Sequence, residues 1–324
     1  MDSISVGKRS MPMVGLGLWK IEKSTTSQTV FDAIELGYRH LDSAADYGNE
    51  TEVGNGIKRA MEEGLCVREE LWITSKLWNT FHRPEHVNQA CKRTLRDLGI
   101  DYLDLYLIHF PISLKYVDFA ERYPPEWICD PDAAAPKMEP DPVPLSDTWH
   151  SMEALVREGL VKEIGVCNYS SGLLHDLMAY ADIKPAMLQI ESHPYLTQER
   201  LIRTAQDYGL GVTSFSPLGA LSYLALDMAT EGESVLTEKA VQTAANRLDR
   251  TEAQVVLRWA LQRGTAIIPK TSQKERLAEN IALYDFRLNE EEMTAISALN
   301  ENRRFNDPAI FCEKAFNRFY SIYD

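Results

Sequence analysis

Four side chains in the first third of the chain are of the types that move a proton onto a carbonyl oxygen: Asp42, Tyr47, Lys76 and His109. Asp42, Lys76 and His109 each close a short strand-like run: Tyr38–Asp42, Leu71–Lys76 and Leu103–His109. Tyr47 follows in the loop from Ser43 to Gly48. An ammonium beside a phenol favours the phenolate, so Lys76 is expected to draw the Tyr47 pKa from about 10 toward neutrality. Such a phenol can protonate a carbonyl oxygen that is becoming an alkoxide. Asp42 is expected to hold Lys76 charged and in place, and His109 to hydrogen-bond the same oxygen. The plain alternative is a buried Asp–Lys pair with a packing tyrosine and a core histidine. It explains any one of these residues better than it explains all four together.

The elements that position these residues alternate along the chain. Helical patterns run to Gly37, Thr51–Glu63, Pro84–Leu98, Ser146–Glu158, Ser171–Ala181 and Thr197–Tyr208, and most stop at a glycine suited to a helix end. Strand patterns cover Val14–Gly17, the three runs above, Glu163–Cys167, Met187–Glu191, Gly211–Phe215 and Ala266–Pro269. Thr251-x-x-Gln254 and Ser272-x-x-Glu275 have the spacing of capping boxes that open helices. Eight β–α alternations over about 300 residues leave a closed barrel or an open doubly wound sheet. The open nucleotide-binding sheet needs G-x-G-x-x-G after its first strand. Gly15-Leu16-Gly17 and Gly54-Asn55-Gly56 both fail that pattern, so an α/β (β/α)8 TIM barrel is expected. In such a barrel the chemistry sits at the carboxyl ends of the strands. Those ends carry Trp19, Asp42, Lys76, His109, Asn168, Gln189, Phe215 and Lys270.

Residues 1–324 read as one domain, with long loops at Lys115–Pro144 and Gly219–Leu236 and an aromatic-rich tail, 302–324, expected to pack on the barrel. Acids outnumber bases 48 to 34, which argues against a nucleic-acid partner. The 5 cysteines show no CxxC spacing, which argues against a metal site or a disulfide framework. The absence of a long apolar run argues against a membrane span. A cytoplasmic protein, monomer or homodimer, acting on a small-molecule carbonyl substrate is the expectation.

The run Gly37-Tyr38-Arg39-His40-Leu41-Asp42-Ser43-Ala44-Ala45-Asp46-Tyr47-Gly48-Asn49-Glu50 resembles the aldo-keto reductase family. Ile73–Trp78, Leu107–Pro111 and Ile267–Lys270 are similar to three further segments of that family. Tyr123–Trp127 and Arg304–Pro308 resemble its xylose (aldose) reductase branch, and plant aldose-6-phosphate reductases are also similar. The resemblance implies a catalytic tetrad of Asp42, Tyr47, Lys76 and His109, with Tyr47 as general acid. It implies a substrate pocket of Trp19, Asp46, Trp78, His109, Phe110, Trp127 and Asn306. It implies NADPH as cofactor, with NADH as a second candidate. Cys167, Asn168 and Gln189 would adjoin the nicotinamide amide, Phe215 would stack on the ring, and Ser216 and Leu218 would approach the pyrophosphate. Lys270, Thr271, Ser272 and Arg276 would take the adenosine 2′-phosphate, with Glu279 and Asn280 at the adenine. Physical chemistry supports the phosphate site separately: a helix starting at Thr271–Ser272 would offer free N–H groups to an anion, and Lys270 and Arg276 add charge.

Two positions depart from the family pattern. Cys167 stands where many members have serine, and a thiol is the weaker hydrogen-bond partner. Phe215 stands where tyrosine is common, so stacking survives but a hydroxyl is lost. Three competing functions are framed by residues. A sugar-phosphate reductase needs a cation at the pocket mouth, for which Lys115, Arg303 and Arg304 are the candidates. A non-catalytic NADPH-binding regulatory subunit would not need the whole tetrad. An aldolase or isomerase would use Lys76 as a Schiff base, which requires a neutral amine.

Overall fold

Parallel strands covered on both faces need no alternation of apolar and polar residues, and the apolar runs of this sequence form strands of that kind. The computed structural model describes residues 2–323. β1 (Ser3–Val6) and β2 (Arg9–Pro12) form an antiparallel hairpin. Then follow β3 (Leu16–Gly17), β4 (His40–Asp42), β5 (Trp72–Leu77), β6 (Leu103–Ile108), β7 (Val161–Cys167), β8 (Met187–Glu191), β9 (Gly211–Phe215) and β10 (Ala266–Ile267). These eight lie side by side in sequence order, every pair parallel. The ends of the sheet meet: Val14 bridges Ile267, Gly15 N donates to Ile267 O at 2.8 Å, and Gly17 N donates to Pro269 O at 3.2 Å. The expected (β/α)8 barrel is the result. β10 stops short of Pro269, which has no N–H to continue a ladder.

The two glycine pairs that fail as nucleotide fingerprints serve packing. A Cβ on Gly17 would lie 2.5 Å from Ile268 O across the barrel seam. Gly54 and Gly56 lie in α2 (Glu50–Glu62), where a Cβ would come within 2.4 Å of Leu98 O and 2.6 Å of Ser27 O. These close approaches seat α2 between α1 (Lys23–Glu35) and α3 (Pro84–Leu98).

The outer layer continues with α4 (Leu145–Arg157), α5 (Ser171–Tyr180), α6 (Glu199–Asp207), α7 (Lys239–Leu248), α8 (Glu252–Gln262), α9 (Lys274–Ile281), α10 (Glu290–Ser297) and α11 (Pro308–Phe316). The capping box at Thr251 is present: Gln254 N donates to Thr251 Oγ1, and Thr251 N to Gln254 Oε1, both at 3.2 Å. The box expected at Ser272 is not. α9 begins at Lys274, and Thr271 Oγ1 instead accepts from Gln273 N at 3.1 Å, a turn that keeps the chain out of the helix for two more residues. The hairpin lies at the amino-terminal end of the barrel, where Lys8 N donates to Glu163 Oε1 and Arg9 pairs with Asp104 at 2.6 Å. The opposite mouth is left to the long loops and the tail. No helix among the described residues is long and apolar enough to cross a membrane.

Candidate active site

Asp42 and Lys76 stand at the same end of neighbouring strands, because β4 pairs with β5 in parallel, with Asp42 beside Thr74. Lys76 Nζ donates to Asp42 Oδ1 at 2.5 Å, to Ser43 O at 2.8 Å and to Tyr47 Oη at 3.0 Å. An ammonium has three donors, and all three are used. Both charged side chains are 1% exposed. Gln189 Nε2 donates to Asp42 Oδ2 at 2.7 Å, so β8 braces the same carboxylate. Tyr47 ends a short 3-10 turn, Ala45–Tyr47, which Gly48 closes at φ 69°. The Tyr47 and His109 rings meet edge-on at 5.8 Å between centroids.

Electrostatics correct one expectation. Burial pulls the Lys76 ammonium down, but the Asp42 charge and the Tyr47 hydroxyl outweigh it and hold the group above its ordinary range. Tyr47 is not acidified toward neutrality. Burial drives its phenol up, the Asp42 carboxylate adds to that, and Lys76 offsets only part of it. The Lys76 charge is the largest influence opposing burial, but it does not overcome it. Tyr47 therefore keeps its proton and can give it away. Burial and then Lys76 push His109 well below the usual histidine range, which makes it a neutral ring. Its Nδ1 has no partner among the described residues, and its carbonyl accepts from Asn168 Nδ2 at 2.8 Å. Burial, followed by Glu126, lifts Asp46 to about 7.

Above these groups opens a cavity of roughly 980 Å³. All the expected substrate residues line it: Trp19, Asp46, Trp78, His109, Phe110, Trp127 and Asn306. Every expected cofactor residue lines it except Ser272 and Glu279. Ser272 is exposed on the turn before α9, and the Glu279 carboxylate accepts from the Thr251 hydroxyl at the start of α8. Three non-glycine residues of the wall are held in the left-handed region: Lys20 (φ 59°), Asn168 (φ 63°) and Ser216 (φ 47°). Asn168 and Ser216 directly follow β7 and β9, and Lys20 lies in the loop after β3; a non-glycine residue held there costs about 1–3 kcal/mol, the kind of strain that collects where a site must be shaped.

The cavity suits a long anionic cofactor. Lys20, Lys270 and Arg276 all line it, and none has an ion-pair partner among the described residues. Burial and the neighbouring Lys270 charge lower the Lys20 pKa, which is the signature of cations gathered without an anion. At the other end Asn168 and Gln189, 1% and 3% exposed, present amide groups beside the tetrad. Lys20 was not singled out in the sequence, although it directly follows Trp19 at a strand end. The tail was expected to pack on the barrel and to bring Asn306 to the pocket, but Phe311 and Phe316 were not named as pocket residues. Trp127 stacks on Phe316 (5.4 Å, 13°) and meets Phe311 edge-on at 5.3 Å, so loop and tail together roof the pocket. Lys115, Arg303 and Arg304 do not line the cavity. Lys115 pairs with Glu139 at 3.5 Å, Arg303 with Glu233 at 2.7 Å, and Arg304 donates to Gln198 Oε1 at 3.2 Å.

Comparison with known proteins gives a consistent picture. Residues 12–301 match the aldo/keto reductase family. A probable NAD(P)H-dependent D-xylose reductase of Arthroderma otae is 52% identical over 301 residues, covering 92% of this chain and 91% of that protein. The NAD(P)H-dependent D-xylose reductase of Aspergillus niger is 49% identical, with 92% and 93% covered. Among solved structures, the aldose reductase of Schistosoma japonicum superposes with a TM-score of 0.86 at 38% identity, covering 100% of both chains. An aldo-keto reductase of Bombyx mori in complex with NADP superposes at 0.83 with 35% identity, covering 97% of each.

Proposed function

The chain belongs to the aldo/keto reductase family, and from that premise we propose that it reduces an open-chain aldose such as xylose to the alcohol, with NADPH as the preferred cofactor. The observation that carries this reading is the Lys76 ammonium, saturated by Asp42, Ser43 and Tyr47 beneath the cavity. When bound, the nicotinamide supplies a hydride. The residues of the chain do the rest. Tyr47 donates its proton to the carbonyl oxygen as negative charge grows there, and the fixed Lys76 charge stabilises the phenolate left behind. His109, neutral, orients the same oxygen without competing for the proton. Asn168 and Gln189 hold the carboxamide, Phe215 backs the ring, and Lys20, Lys270 and Arg276 take the phosphates. Trp19, Trp78 and Trp127 exclude water around the reacting carbon, and Asp46 accepts from substrate hydroxyls.

The engagement of Lys115, Arg303 and Arg304 with other partners supports a neutral aldose over a sugar phosphate. The charged, fully bonded state of Lys76 argues against Schiff-base chemistry, which needs a free amine. The test is Tyr47→Phe. It is expected to leave NADPH binding within about twofold and to lower kcat by about 10²–10⁴-fold, the usual worth of a positioned acid. Near-normal turnover in that variant removes Tyr47 from the role. A kcat/KM for glucose 6-phosphate well above that for xylose replaces the substrate.

A further inference from the structure

The strand end that would meet the nicotinamide carboxamide is short of a hydroxyl. Cys167 offers only a buried thiol, a weak partner whose pKa burial pushes up. Its neighbour Asn168 is caught from two sides. Asn168 Nδ2 donates to His109 O at 2.8 Å, and Asn168 Oδ1 accepts from the Tyr323 hydroxyl at 3.0 Å. Tyr323 comes from the far end of the chain, beyond α11, where Asn317 turns in the left-handed region (φ 51°).

The tail is built to bring it there. Buried Glu191, at the end of β8, accepts from Phe305 N at 2.8 Å and Asn306 N at 2.9 Å. His193 Nε2 lies 3.0 Å from the same carboxylate. That anchor fixes the adjacent Arg304, whose guanidinium lies 3.6 Å over the Tyr323 ring. Tyr323 is not among the residues lining the cavity, whereas Asn168 is.

We propose that Tyr323 is a positioning residue of the carboxamide site: the tail returns to the barrel mouth to supply, through Asn168, the hydroxyl that Cys167 lacks. The chemistry follows from the donor and acceptor inventory. The His109 carbonyl can only accept and therefore selects the Asn168 NH₂. A flipped amide would lose that bond, so the amide oxygen faces Tyr323, whose hydroxyl donates to it. So held, Asn168 Oδ1 keeps a second lone pair for the carboxamide NH₂. The inference rests on the reductase reading above, because it assumes that a nicotinamide binds beside Asn168.

The test uses full-length protein and two nucleotides, NADP⁺ and its 3-acetylpyridine analogue, in which a methyl group replaces the carboxamide NH₂. Dissociation constants are read from quenching of tryptophan fluorescence. Tyr323→Phe keeps the ring over Arg304 and deletes only the hydroxyl. It is expected to weaken NADP⁺ by about three- to tenfold, the scale of one net hydrogen bond, and the analogue by less than about twofold. In an Asn168→Ala background the same substitution is expected to add nothing, because the effect runs through that amide. Three results overturn the inference alone: unchanged NADP⁺ binding, equal weakening of both nucleotides, or additive losses in the double variant. Tighter NADP⁺ binding overturns it too, since Tyr323 would then be a competitor for Asn168. Failure of the unsubstituted protein to bind NADP⁺ overturns the reductase reading and takes this inference with it.

Discussion

The two halves of the site are built differently. The floor is made by strand ends: Asp42, Lys76 and Gln189 are 1–3% exposed, and the barrel's backbone ladder fixes their spacing. The roof is made by loops and tail, tied by ion pairs at the surface. Lys314 pairs with Asp227 at 2.5 Å and Arg303 with Glu233 at 2.7 Å, joining the tail to the loop after β9. The floor pairs are dry and fully bonded, so losing one partner strands a buried charge. The roof pairs are partly exposed to solvent. On the proposed reading, proton transfer belongs to the buried floor and selection of the ligand to the more exposed roof.

That contrast can be broken first at Lys76. Lys76→Met is expected to abolish measurable turnover and, by leaving Asp42 buried without its cation, to destabilise the fold by about 3–5 kcal/mol. Denaturant unfolding beside the milder Tyr47→Phe checks this, and equal stability of the two variants would contradict a charge-locked floor. A second probe is Glu50, buried on α2, whose carboxyl accepts from Ser75 Oγ at 2.6 Å and Thr94 Oγ1 at 3.0 Å. Burial raises its pKa from 4.5 to about 7 despite those bonds. A folded-state value above the unfolded one gives stability that is complete below about pH 4.5 and is lost as pH rises through about 7, on the order of 3 kcal/mol. Melting temperature should therefore fall from pH 5 to pH 8, and Glu50→Gln should flatten part of the decline. Identical pH slopes in the two proteins would show that Glu50 does not titrate in this window.

Smaller effects belong to the roof. Glu191→Ala leaves the Phe305 and Asn306 N–H groups without an acceptor, at about 1–3 kcal/mol each if they stay buried. Loosening of the tail is expected to raise the aldehyde KM about tenfold, while kcat falls far less. A matched fall in kcat at constant KM would instead tie Glu191 to the floor. Lys314→Ala removes an exposed pair worth about 0–1 kcal/mol. It is expected to speed cofactor release by no more than a few-fold, with the difference vanishing in high salt. A salt-independent effect would mean that the pair is not acting through charge.

The legibility of the sequence follows the same division. The strand run ending in His109 was readable because burial on both faces demands nearly continuous apolar residues, while the more mixed runs ending in Asp42 and Lys76 were placed by the helical patterns on either side of them. Gly37, Gly64 and Gly99 marked helix ends because each takes a positive φ that other residues resist. The helix before the adenosine end was misplaced by two residues, because Thr271 found a closer partner than the one a capping box would offer. Helices α7 and α10 lay in segments left unassigned, and α11 in the segment read as tail.

What the sequence determined by itself is a local matter: the periodicity that makes eight parallel strands, and the side-chain types left at their ends. Tertiary structure decided the rest, because it depends on contacts between residues far apart in the chain. Tyr47 keeps its proton because burial outweighs the pull of Lys76, with Asp42 adding to the burial, and that balance exists only once three segments share one buried volume. Tyr323 reaches Asn168 across 155 positions, and no pattern along the chain encodes that meeting.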